Sequence, residues 1–303
     1  MRGRNPRQRR RSMNGIFSAL LGVFNADGDI NEDGVRALVR HNIDKCGIDG
    51  LYVNGSTGET FLMTMEMRKK VLRAVADEAK GQVSLIAHVG GICLDDVNEL
   101  SKEAADLGYD AISAVTPFYY KFTPDELRLY YTNIAEKSAL PLIAYYIPSL
   151  TGVTMSIDNL CSILDTPNVS GLKFTSNDFF ALERLRTARP EKLIFSGFDE
   201  MLLPMTVLGT NGAIGSTYNI IGHWAKKIYE LASAGKLDEA RVWQQHVNYV
   251  VSEVNNYGLY GTLKAVCTLY GIPAGNCKAP MAPISFRQRE AARRIKDYME
   301  KVK

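Results

Sequence analysis

The feature that most constrains this chain is an alternation that recurs eight times. A short apolar run ends in small or polar residues, and an amphipathic stretch follows. The apolar runs are "GIFSALLGVF", "GLYVNGST", "VSLIAHVG", "YDAISAVTP", "PLIAYYIP", "VSGLKFTS", "KLIFSGF" and "GAIGST". Between them lie helical patterns such as "VRALVRHNIDKCG", "MRKKVLRAVADEAKG", "VNELSKEAADLG" and "LRLYYTNIAEKSA". Thr123 before Pro124, and Ser156 in "SIDNL", are N-cap candidates. Gly47, Gly81 and Gly108 stand where helices should end. Strands that are apolar almost throughout are covered on both faces, which implies a parallel sheet. Eight units in about 210 residues predict a (β/α)8 TIM barrel. An open doubly wound sheet is the alternative, but no GxGxxG follows the first strand. After the eighth unit, "NIIGHWAKKIYELASAGKLDEARVWQQHVNYVVSEV" and "REAARRIKDYMEKVK" read as additional C-terminal helices, an extension from about residue 225. No linker separates them, so residues 13–303 read as a single domain.

The formal charge is +3 over 303 residues, but six arginines fall in the first twelve, "MRGRNPRQRRRS". Without them the remainder carries −3, which gives no general pull toward nucleic acid. Residues 1–12 read as a basic tail outside the fold; a targeting signal or nucleic-acid arm is the alternative. No apolar run approaches the roughly 20 residues of a membrane-spanning helix. The five cysteines are scattered, with no CxxC pair, as suits a cytoplasmic protein with reduced thiols. The four histidines show no HxxxH or HxH spacing, so no metal site is expected. "NADGDINEDG" (25–34) resembles a calcium loop only superficially. With Asn25 or Asp27 at its first position, the required glycine falls on Ile30 or Glu32.

In a barrel of this kind the active groups stand at the C-terminal ends of strands. Lys173 lies there, inside an apolar run. Burying an ammonium is costly unless something compensates. It is either a lysine paired with a carboxylate or snorkelling at a strand end, or an amine nucleophile whose pKa burial has lowered. "GSTGE" (55–59) is either a turn with a helix start or a cradle of N–H groups and hydroxyls for a carboxylate. Tyr145 is either a packed aromatic or a phenolic acid/base facing the lysine.

Taken together, these segments resemble the class I pyruvate aldolases, the family of dihydrodipicolinate synthase and N-acetylneuraminate lyase. The resemblance runs from about residue 15 to the C-terminus. It rests on "GSTGE" (55–59), "TPFYY" (116–120), "YYIPSLTG" (145–152), "GLKFT" (171–175), "GFDEMLL" (197–203) and "GAIGSTYN" (212–219), in the family's order and spacing. It implies a TIM barrel with extra C-terminal helices, usually a homotetramer. By this resemblance Lys173 forms the Schiff base with pyruvate, and Tyr145 is the proton shuttle beside it. Ser56 and Thr57 hold the pyruvate carboxylate, and Ser56 links Tyr145 to Tyr119 of a neighbouring subunit. No cofactor is implied, because the Schiff base on Lys173 is itself the electron sink.

Two places bear on the branch of the family. The synthase branch carries an arginine for a substrate carboxylate where this chain has Leu150, and a leucine cannot make that bidentate pair. Asp199 and Glu200 would repel an anionic aldehyde but accept hydrogen bonds from a polyhydroxylated chain. Gly197, Asp199 and Glu200 resemble the polyol-binding segment of the sialic acid lyases, and Thr175 and Ser216 match further sugar-contact positions. Tyr146 departs from the asparagine many relatives carry. The expectation is a lyase splitting N-acetylneuraminate reversibly to N-acetylmannosamine and pyruvate, in sialic acid catabolism. Another pyruvate-dependent aldolase of a different sugar acid, or a non-catalytic keto-acid or sugar binder on this fold, are the alternatives.

Overall fold

The computed structural model describes residues 13–79 and 81–302; the basic tail at 1–12 lies outside them. The apolar runs form β1 (Gly15–Ala19), β2 (Gly50–Val53), β3 (Ser84–His88), β4 (Ala111–Val115), β5 (Leu142–Tyr146), β6 (Val169–Phe174), β7 (Leu193–Ser196) and β8 (Gly212–Gly215). The amphipathic stretches form α1 (Glu32–Asp44), α2 (Met65–Ala79), α3 (Leu94–Leu107), α4 (Pro124–Lys137), a short α5 (Pro148–Thr151), α6 (Ile157–Leu164), α7 (Phe179–Ala188), α8 (Leu202–Val207) and α9 (Tyr218–Ser233). Three more helices follow: α10 (Leu237–Tyr257), α11 (Leu259–Leu269) and α12 (Phe286–Lys301).

All strands pair in parallel in sequence order, and β8 pairs with β1 to close an eight-stranded barrel. The fold is the expected TIM barrel with C-terminal helices. Local chemistry sets several helix ends. Thr123 and Glu126 form a capping box at α4, and Ser156 caps α6 by accepting from Asn159 N–H. Gly108, in the left-handed region, ends α3. Two cores result. Phe17, Tyr52, Ile86, Ile143, Tyr145, Phe195 and Ile214 fill the barrel interior. The opposite faces of the same strands pack against the helices, as Leu51, Leu172 and Phe174 do. Period-two alternation divides each strand between these layers. No helix among the described residues is long and apolar enough to cross a membrane.

Candidate active site

β5 and β6 are neighbours, and their register sets Tyr145 beside Lys173. Leu172 and Phe174 face the helices, so alternation turns Lys173 inward. There it is only 4% exposed. Its Nζ lies 4.1 Å from the centroid of the Tyr145 ring and 4.3 Å from that of Tyr52. Burial drives the ammonium pKa down to about 7, with Asp199 opposing. The two ring faces offset part of the cost of a positive charge at Nζ. Near neutrality, therefore, a substantial share of this lysine is a free amine.

Tyr145 is itself buried, and desolvation pushes its phenol up to about 12; the Ser56 and Thr175 hydroxyls beside it act in the opposite direction. The phenol thus rests protonated. Its ring packs edge-on against Tyr52 and His88. Its carbonyl accepts from both the N–H and the hydroxyl of Thr116. Tyr52 donates to Ser113 Oγ at 3.0 Å, which fixes the second ring beside the lysine.

The "GSTGE" segment is a single 3-10 turn, Ser56–Gly58, closed by Gly58 N–H to Gly55 O and Glu59 N–H to Ser56 O. Ser56 and Thr57 are its first residues, whose N–H groups have no acceptor within the turn. Thr57 Oγ1 lies 2.7 Å from Ser216 Oγ, joining this turn to the end of β8.

The acidic side is built from β7 and β8. Asp199 Oδ2 accepts from Thr217 N–H at 2.8 Å and from the Thr217 hydroxyl at 2.6 Å. Burial nevertheless raises its carboxyl to about 6. Gln244 of α10 donates to the Asp199 carbonyl at 3.1 Å. Glycine is required where these pieces meet: a Cβ on Gly197 would fall 1.7 Å from Thr175 Oγ1, and one on Gly215 would fall 1.9 Å from Asp199 Oδ1.

These groups open into one cavity of about 250 Å³. Ser56, Thr57, Tyr145, Lys173, Thr175, Gly197, Asp199, Glu200 and Ser216 all line it. Tyr119 does not: it stands on the β4–α4 loop, 84% exposed, outside this chain's own cavity. Leu150, on α5, is at the cavity's edge. Sequence reasoning missed the far wall, where Val251, Val254, Asn255, Leu259 and Tyr260 come from α10 and α11. The i, i+3, i+4 spacing of Val247, Val250, Val251 and Val254 signals a buried helix face, but not which surface it covers. A larger open groove between α3 and α4, about 400 Å³, presents Ile92, Leu129 and Glu126 and has no lysine in its lining.

The family profile described as "Dihydrodipicolinate synthetase family" matches residues 12–297. The chain belongs to the dihydrodipicolinate synthetase family. Among its relatives in this family, the N-acetylneuraminate lyase of Clostridium perfringens (strain SM101 / Type A) is 50% identical over 283 residues, covering 93% of this chain and 98% of that protein. The crystal structure of N-acetylneuraminate lyase from Fusobacterium nucleatum complexed with pyruvate superposes with a TM-score of 0.90 at 49% identity, covering 95% of this chain and 97% of that one. A Clostridium difficile protein solved in complex with mannosamine gives a TM-score of 0.93 at 46% identity, covering 95% and 100%.

Proposed function

We propose that this member of the dihydrodipicolinate synthetase family is a Schiff-base aldolase that splits N-acetylneuraminate reversibly into N-acetylmannosamine and pyruvate. The observation that carries the reading is the buried Lys173, its pKa lowered to about 7, stacked against Tyr145 in a cavity walled by Asp199 and Glu200. The similarity to N-acetylneuraminate lyases supports the choice of substrate.

The chemistry follows from these groups. The open-chain keto form enters with its carboxylate on the Ser56–Thr57 turn. The neutral amine of Lys173 attacks the C2 ketone, and loss of water with uptake of one proton gives a protonated imine. This cation is the electron sink, so no external cofactor is needed. Tyr145 takes the proton of the C4 hydroxyl. Its own pKa is too high for a resting phenolate, so it works as a neutral relay, passing its proton to the substrate carboxylate as it accepts one. The C3–C4 bond breaks, its electron pair moves into the imine, and the aldehyde N-acetylmannosamine leaves. The remaining enamine is protonated at C3, and water hydrolyses the imine to release pyruvate and Lys173. Asp199, Glu200, Thr175, Gly197 and Ser216 hold the hydroxylated chain. Leu150 offers no charge to a second carboxylate, which favours a polyol over the synthase branch's substrate.

A homotetramer accompanies this reading, with Tyr119 reaching a neighbour's cavity; its exposure on the loop after β4 is compatible with that role. A cytoplasmic location is supported by five free cysteines. The test is product analysis with N-acetylneuraminate and with a 2-keto-3-deoxy sugar acid lacking the N-acetyl group. Formation of N-acetylmannosamine and pyruvate, with clear preference for the first substrate, is expected. Preference for the second would move the chain to another sugar-acid aldolase, and cleavage of neither would move it to a binding protein.

A further inference from the structure

The last residue of "GSTGE" has no part in the chemistry above, yet it is placed at a cost. Glu59 is 3% exposed and holds the left-handed conformation, φ 60°, which is strained for a non-glycine residue. Its Oε1 is 2.5 Å from Nζ of Lys264 on α11, and both side chains are completely buried. Among the described residues it is the one ion pair with both side chains fully buried. Its other oxygen, Oε2, accepts from Lys278 N–H at 2.6 Å. Lys264 donates to Asn276 O at 2.8 Å and stands 4.6 Å over the Phe24 ring. A buried ion pair rarely adds net stability over an apolar pair of the same shape. A role in fixing geometry explains its presence better. What it fixes is the turn directly before it, Ser56–Gly58, and what it is fixed to is the helix that carries Tyr260, one turn before Lys264 and on the cavity wall.

We propose that Glu59 and Lys264 are positioning residues for the keto-acid carboxylate: the pair anchors the Ser56–Thr57 turn to the C-terminal helices, so that elements outside the barrel set how tightly the carboxylate is held. The inference rests on the reading that Ser56 and Thr57 receive that carboxylate and Lys173 the ketone. The double variant Glu59→Gln/Lys264→Met leaves no unpaired charge inside the protein and keeps the side-chain volumes, so its fold is expected to persist.

The test is borohydride trapping on Lys173 against ligand concentration, with pyruvate and with methyl pyruvate, which has the ketone but no carboxylate charge. In the folded double variant the half-saturating pyruvate concentration is expected to rise roughly tenfold to a hundredfold, the scale of a sub-ångström misplacement. Methyl pyruvate trapping is expected to stay as in the wild type. Lys264→Arg keeps the charge but changes the reach. It should show the same split at smaller amplitude, and it carries the test if the double variant does not fold. Unchanged pyruvate saturation in a folded variant overturns the inference, as does an equal loss with both ketones. A wild type that traps neither ketone overturns the Schiff-base reading itself, and the inference with it.

Discussion

Lys173 couples stability and reactivity in one group. Its pKa falls from 10.5 unfolded to about 7 folded because the ammonium loses its water. A depressed pKa means the unfolded chain binds more protons between these values, so the protein gains stability as pH rises through that window. Below pH 7 the whole penalty is present, roughly 3–5 kcal/mol at about 1.4 kcal/mol per pH unit. Lys173→Met should therefore melt several degrees above the wild type at pH 6, with the gap closing toward pH 10.5, as calorimetry across pH would show. In the proposed mechanism the same group sets the acid limb of catalysis. Only the neutral amine attacks a ketone, so kcat/KM should fall about tenfold per pH unit below pH 7. A pH–rate profile flat from 5 to 8 would contradict the assignment. Tyr145→Phe should keep the fold and lower kcat by about 100-fold to 10,000-fold, the usual worth of a positioned proton relay.

At the scale of elements, the site is a consequence of where parallel strands end. The eight strands were legible because each is a nearly unbroken apolar run, and a parallel barrel buries both faces of its strands. The lysine was legible for the opposite reason, as the one Asp, Glu, Lys or Arg within the eight strands. α11 was not: "LYGTLKAVCTL" is apolar nearly all round and interrupted by Gly261, and its buried Lys264 has its partner more than 200 residues away at Glu59. The wall from Asn255 and Tyr260 was hidden likewise, because it depends on the C-terminal helices folding back over the barrel mouth. The close approach of Gly197 to Thr175 was also invisible, since nothing local marks it. It carries its own prediction: in Gly197→Ala the new methyl collides with a β-branched side chain, which cannot rotate away freely. Lyase activity should drop at least tenfold, as a displaced contact at the sugar end would cause, while pyruvate trapping on Lys173 changes little. Comparing cleavage rates with trapping in that variant checks it; equal loss of both would show that the strand end carries no separate sugar subsite.

For the whole molecule, the exposed aromatics matter most. Phe61, Tyr119 and Tyr120 are 46%, 84% and 62% exposed on neighbouring loops at the mouth of the barrel. Phe61 also packs on Phe118 with ring centroids 4.9 Å apart. In the proposed homotetramer this apolar surface is the part a neighbouring subunit would cover. Sedimentation should give a mass of four chains, and Tyr119→Ala should lower activity although Tyr119 lies outside its own chain's cavity. A fully active monomer would remove Tyr119 from the account. The most direct test of the central claim is mass spectrometry of the protein treated with N-acetylneuraminate and borohydride, followed by peptide mapping. A reduced pyruvate adduct on the peptide containing Lys173, absent from Lys173→Ala along with pyruvate release, is the predicted result. Pyruvate release with no adduct on Lys173, or release that survives its replacement, would contradict it.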